Sequence, residues 1–170
     1  HLIPWKRPDA FIQAAATIRQ QRPDAHFVIV GRDLFHENKR WVMQLEAQAR
    51  QAGLSECLHW IKDLDTSCEI LPAFDLFLHL ALNEPFGRVI CEAMAANVPI
   101  ISAESGGPVN IIEQRVSGIL VRDGDPQQMA AEALALLADP AGAAKLAKGG
   151  RARVLSQFTT QHVCDQLVKE

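Results

Sequence analysis

Short apolar runs rich in valine, isoleucine, leucine and phenylalanine recur along this chain, separated by longer stretches whose apolar positions return every three or four residues. The first pattern belongs to strands buried on both faces, the second to helices laid over them. Strands are expected at residues 25–31, 57–61, 75–80, 99–102 and 118–121. Residues 8–21 open on Pro8, tolerated in a first helical turn, and set Phe11, Ile12, Ala15 and Ile18 at helical spacing. A second helix is expected over 38–52, with Trp41, Val42, Leu45 and Ala49 on one face and Gly53 as its stop. A helical turn is expected over 66–72, a helix over 86–96, a short one after Gly107, and two more over 126–137 and 141–156. Residues 159–170 read as a final helix or an unanchored tail.

Strands alternating with helices, without repeats or a long linker, predict one α/β domain over residues 1–158, doubly wound or three-layered. Ligands of such sheets bind outside the carboxyl ends of the strands. The loops after Gly31, Ile61, Leu80 and Ser102 are therefore the places to look.

The 170 residues are 48% hydrophobic and 22% charged, the size and make-up of one soluble domain. A formal net charge of −3 provides no field to gather nucleic acid or an anionic membrane. The apolar runs stop far short of the roughly 20 residues of a membrane-crossing helix. Residues 1–10 lack the zones of a signal peptide and carry no initiating methionine, so a cut edge is expected there. Cys57, Cys68, Cys91 and Cys164 form no CxxC pair, which predicts reduced, structural thiols in a cytoplasmic protein. The six histidines show no HxxxH or HExxH spacing, and no metal site is expected. His79 ends an apolar run just before the loop of greatest interest, where a packed, hydrogen-bonded histidine is the ordinary outcome.

That loop runs from Asn83 to Glu92 and joins a buried strand to a helix through Pro85 and Gly87. Gly87 permits a ligand to approach the backbone, and the unpaired amides of a first helical turn, aligned with the peptide dipoles, seat a phosphate. Arg88 adds a charged donor. A carboxylate accepts two hydroxyl donors at once, so Glu84 in the loop and Glu92 on the helix suit vicinal diols. The spacing fits a sugar nucleotide, with its diphosphate between the two carboxylates.

The segment EPFGRVICEAMAANVPII resembles the E-x7-E region of the retaining glycosyltransferases of family 4, which have the GT-B fold. The run SAESGGPVNIIEQRVSGILVRDGDPQQMAAEALALLADP looks like the family's glycine-pair loop, short helix and following strand, and IPWKRPDAFIQAAATIRQQRPDAHFVIVG resembles the opening of its second domain. The resemblance implies a Rossmann-like, three-layer, mostly parallel carboxyl-terminal half of a GT-B enzyme, lacking its first strand. It implies that Lys6 contacts the donor diphosphate; the family's helping arginine would fall at or before His1. Glu84 corresponds to the carboxylate on the sugar hydroxyls and Glu92 to the ribose clamp. Asn83, the backbone of Phe86, Gly87 and Arg88, and Val89 complete that loop's donor contacts, with Glu84, Lys6 and Arg88 as the catalytic set. The base would lie near Gly31, Arg32, Ile61 and Lys62, in the stretch from Trp60 to Asp63, although the family commonly has glycine in place of Ile61 or Lys62. Gly106 and Gly107 would form a second close-approach loop. Asn97 stands where the family has glycine at a helix end, and Asn110 where it often has glutamate.

The donor is then a nucleoside-diphosphate sugar, no metal or other cofactor is required, and the acceptor belongs to an amino-terminal domain outside this chain. Nucleic acid is not expected as a partner, membrane contact would come only through regions outside the chain, and a homodimer stays open. Two other readings remain: a non-catalytic sugar-nucleotide-binding module, and a sugar-nucleotide epimerase of the same fold. A dinucleotide dehydrogenase is disfavoured because no GxGxxG follows a strand.

Overall fold

The computed structural model of the protein describes residues 2–33, 38–62, 64 and 67–159. The expectations that fall on His36, Asp63, Thr66, His162, Cys164 and the tail from residue 160 lie outside them.

Among the described residues five strands run in the order β1 (Phe27–Val30), α2 (Lys39–Gln51), β2 (Leu58–Ile61), β3 (Phe77–His79), α3 (Arg88–Ala95), β4 (Ile100–Ala103), α4 (Pro108–Ile111) and β5 (Ile119–Val121), with an α-helix in every connection but that from β2 to β3. Helix α1 (Pro8–Gln21) precedes them, and α5 (Pro126–Ala138) and α6 (Pro140–Gln157) follow. Every expected strand is present; four are shorter by one to three residues, and β4 keeps its expected length but begins one residue later. Where a helical turn was expected over 66–72, two short 3-10 turns lie at Ser67–Glu69 and Leu71–Ala73. Pro72 sits inside the second turn and supplies no amide to lengthen it. Two further 3-10 turns, Pro4–Lys6 and Arg122–Gly124, were not anticipated.

Local chemistry explains the helix ends. Pro8 occupies the first turn of α1. Asp125 and Asp139 cap α5 and α6, accepting from the amides of Gln127 and Gly142, each at 2.9 Å. Gly53 and Asn97 adopt left-handed φ of 73° and 62° after α2 and α3, as expected of helix stops.

Among the described residues the strands make two ladders, β1 with β2 and β3 with β4 with β5; the single sheet expected is divided between β1 and β3. The segment 2–5 joins the carboxyl ends of the two ladders: Leu2 N–H donates to Arg32 O at 3.0 Å, and Leu82 N–H donates to Trp5 O at 3.3 Å. Helices cover both faces of β4, so all four of its residues are buried. Ile101 and Ala103 face a core shared with α1, α2 and α5, whereas Ile100 faces a second core with Ile90, Met94, Ile111 and Val154. Burial of each large aliphatic side chain contributes ~1.5–3 kcal/mol. This packing holds the carboxyl end of β3, and the loop after it, in place.

Candidate functional site

Loops after β3 and β4 lie against each other and build the site. Asn83 has a left-handed φ of 55°, and its amide donates to Ser105 Oγ at 2.8 Å while Ser105 Oγ donates to Asn83 Oδ1 at 3.4 Å. Glu84 pairs with Gly106 as an isolated parallel bridge, and Gly107 N–H donates to Glu84 O at 2.6 Å. A Cβ on Gly106 would stand 2.4 Å from Glu84 O, and one on Gly107 2.2 Å from Phe86 O. The glycine pair is thus required first by the chain's own backbone at Glu84 and Phe86. Gly87, at φ 103°, turns the chain into α3. The amides of Arg88 and Val89 open α3 and have no intrahelical acceptor, the arrangement that attracts an anion.

Three side chains from distant parts of the chain converge here. Glu84, 9% exposed, is bound by the Lys6 ammonium through its Oε2, and the same oxygen lies 3.5 Å from His79 Nε2. Lys6 also stands 4.3 Å from the centroid of the Trp5 ring, within cation–π range. His79 Nδ1 is 3.3 Å from Ser102 Oγ, its neighbour in the β3–β4 register, and the Ser102 hydroxyl donates to Ala103 O at 3.2 Å. Burial pushes His79 down to about 4; the Glu84 carboxylate opposes this and the Lys6 ammonium adds to it. The imidazole is neutral at neutral pH.

Arg88 and Glu92 pair along α3, Nε to Oε1 at 3.2 Å, with the Arg88 side chain 89% exposed. The Arg88 side chain therefore points along the helix toward Glu92, and its amide is the group at the turn. Phe86 is exposed, its ring centroid 6.3 Å from that of Phe158. Val89 is half-buried. The carboxyl ends of β1 and β2 gather another group of expected residues. Gly31 N–H donates to Ile61 O at 2.9 Å, the Arg32 carbonyl accepts from Leu2, and the Lys62 ammonium is 3.8 Å from Glu46 Oε1. Nothing in the sequence singled out Ser102, or Arg7, whose Nη1 donates to the carbonyls of Asp123 at 3.1 Å and Gly124 at 3.3 Å. His79 had only its position at the end of an apolar run to recommend it. Among the described residues no three His, Cys, Asp or Glu side chains stand together as a metal-binding group.

Comparison with known proteins identifies the family and the fold. Residues 1–153 match the family described as Glycosyl transferases group 1. The D-inositol 3-phosphate glycosyltransferase of Jonesia denitrificans is 30% identical over 170 residues, covering 97% of this chain and 39% of that protein. Spore coat protein SA of Bacillus subtilis is 30% identical over 168 residues, covering 96% of this chain and 44% of that one. The chain spans less than half the length of these curated relatives. The crystal structure of HepE from Anabaena, in complex with UDP and glucose, superposes with a TM-score of 0.92 at 29% identity, covering 99% of this chain and 45% of that one. The carboxyl-terminal domain of the group 1 glycosyl transferase LpcC from Francisella tularensis superposes with a TM-score of 0.85 at 28% identity, covering 94% of this chain and 83% of that one. The parallel α/β architecture is the Rossmann-like half-domain of GT-B glycosyltransferases. A family match running over residues 1–153, nearly the whole chain, leaves one conclusion: the chain belongs to the glycosyl transferases group 1 family.

Proposed function

We propose that this chain is the donor-binding domain of a retaining, family 4 glycosyltransferase, which takes a sugar from a nucleoside diphosphate and passes it to an acceptor hydroxyl. The observation that carries the reading is the Glu84 carboxylate, nearly buried and ion-paired to Lys6, beside the open amides of Arg88 and Val89. Structures of HepE hold UDP with glucose, or UDP-glucose, and this chain superposes over nearly its whole length on 45–47% of that protein. In this reading the diphosphate draws Lys6 away from Glu84 and settles on the α3 amides, while Glu84 turns to the sugar hydroxyls. Glu92 holds the ribose, and the base lies toward Gly31, Arg32, Ile61 and Lys62. Amide donors and Lys6 stabilise the leaving diphosphate without a metal; losing one such donor costs ~3 kcal/mol, about a hundredfold in rate.

A thermal-shift screen with UDP, GDP and ADP and their sugar conjugates tests this. At least one conjugate is expected to raise the melting temperature, in the presence of EDTA as in its absence, and Glu92→Ala is expected to abolish the rise. An unchanged shift in that variant removes Glu92 from the ribose role. Transfer itself is expected to be weak for this chain alone, because the acceptor would be held by a further domain in a cytoplasmic enzyme; efficient transfer by the isolated chain would overturn that part.

A further inference from the structure

His79 has a buried nitrogen with no hydrogen-bond partner. Nε2 is shielded from solvent and makes no hydrogen bond, yet it faces Glu84 Oε2 at 3.5 Å, the oxygen that also binds Lys6. Buried polar atoms without partners are rare and unfavourable, and this one points at the carboxylate on which sugar recognition is proposed to depend. Two tautomers are available to the neutral ring. With the proton on Nδ1, the ring donates to Ser102 Oγ and directs the Nε2 lone pair at an anion, which is repulsive. With the proton on Nε2, the ring donates toward Glu84, and Ser102 turns its hydroxyl to Nδ1 from Ala103 O, to which it donates at 3.2 Å and which keeps the Ser105 N–H as a donor at 2.9 Å. A ring rotation that shortens the 3.5 Å approach then satisfies both nitrogens.

Lys6 cannot be the lasting partner of Glu84 if it also serves the diphosphate. A neutral N–H fixed to the sheet remains in place when the ammonium moves, and it does not compete for the phosphate. We propose that His79 is a positioning residue for the donor sugar. Its Nε2–H anchors one oxygen of Glu84, so that the other faces the sugar hydroxyls after Lys6 has moved. Ser102 completes that tautomer by rotating its hydroxyl from Ala103 O to Nδ1. This rests on the donor-site reading above.

The test compares the affinities of UDP and UDP-glucose, by calorimetry, for the chain and for His79→Leu, His79→Asn and His79→Gln. Glutamine places an amide donor at the reach of Nε2, asparagine only at that of Nδ1, and leucine offers none. UDP affinity is expected to stay within about twofold throughout. The ratio of UDP-glucose to UDP affinity is expected to fall about tenfold in the leucine and asparagine variants and to recover with glutamine. A ratio unchanged in His79→Leu overturns the proposal, as does equal loss in all three folded variants. Imidazole ¹⁵N spectra of the unsubstituted chain give a second measurement that needs no variant to fold: the Nε2–H tautomer is expected, and Nδ1–H overturns the proposal. If no sugar nucleotide binds the unsubstituted chain, the donor-site reading itself has failed. If binding occurs and the ratio ignores residue 79, only the positioning role has failed.

Discussion

At the scale of single residues, the buried His79 couples the fold to pH. Folding lowers its pKa from the ordinary 6.5 to about 4, so between those values the unfolded chain binds the proton that the folded chain refuses. Its contribution is fully present above about pH 6.5 and is lost as pH falls toward 4, with a slope of up to ~1.4 kcal/mol per pH unit. Urea unfolding at pH 7 and pH 5 is expected to show that loss, and His79→Leu to show a smaller one. Gly107 is equally decisive for a steric reason. Its Cβ would meet Phe86 O at 2.2 Å and Phe86 Cα at 2.5 Å, both backbone atoms that cannot swing aside. Gly107→Ala is expected to cost ~3 kcal/mol or more through forced displacement of the Glu84 loop. Gly53→Ala, left-handed but with nothing within 4 Å, is expected to cost about 1 kcal/mol. Denaturation midpoints of the two variants check the contrast.

Helix ends govern the next scale. Asp125 links the β5 loop to α5, and α5 packs along α1, the helix that begins two residues after Lys6. Asp125→Ala is expected to cost ~1 kcal/mol in unfolding free energy without changing nucleotide affinity. On α3, Arg88 and Glu92 form an i,i+4 ion pair in which Arg88 is exposed and Glu92 is mostly covered; such helix pairs contribute ~0.3–0.5 kcal/mol. The strands and helices themselves were legible from periodicity, proline and glycine because those signals are local. The 3-10 turns at Pro4–Lys6 and Arg122–Gly124 were not. Each spans three residues, too few to carry a period, and Arg7 ties them together by donating to the carbonyls of Asp123 and Gly124.

For the whole molecule, two cores share β4, and the site sits where β3 and β4 end above them. Met94, 1% exposed, belongs to the second core and lies under α6, where a Cβ on Gly150 would be 3.3 Å from its Cγ. Met94→Ala is expected to cost ~2–5 kcal/mol and, if it folds, to loosen α3 and weaken nucleotide binding with it. A donor present at about a hundred times its Kd would return ~2.7 kcal/mol, which a melting curve with and without nucleotide measures.

The alternation of buried strands with amphipathic helices, the capping aspartates, the left-handed Asn97 and the grouping of Glu84, Gly87 and Glu92 on one turn and helix all follow from residues near one another in the chain. Contacts across the chain follow from tertiary structure alone. Lys6 reaches Glu84 across 78 positions, and His79 meets Ser102 across 23 because β3 and β4 pair in that register. The same approach of two loops turns Gly106 and Gly107 into a packing requirement at Glu84 and Phe86. Periodicity reports which face of an element is buried; which partner a buried polar atom meets is decided only when the strands have paired.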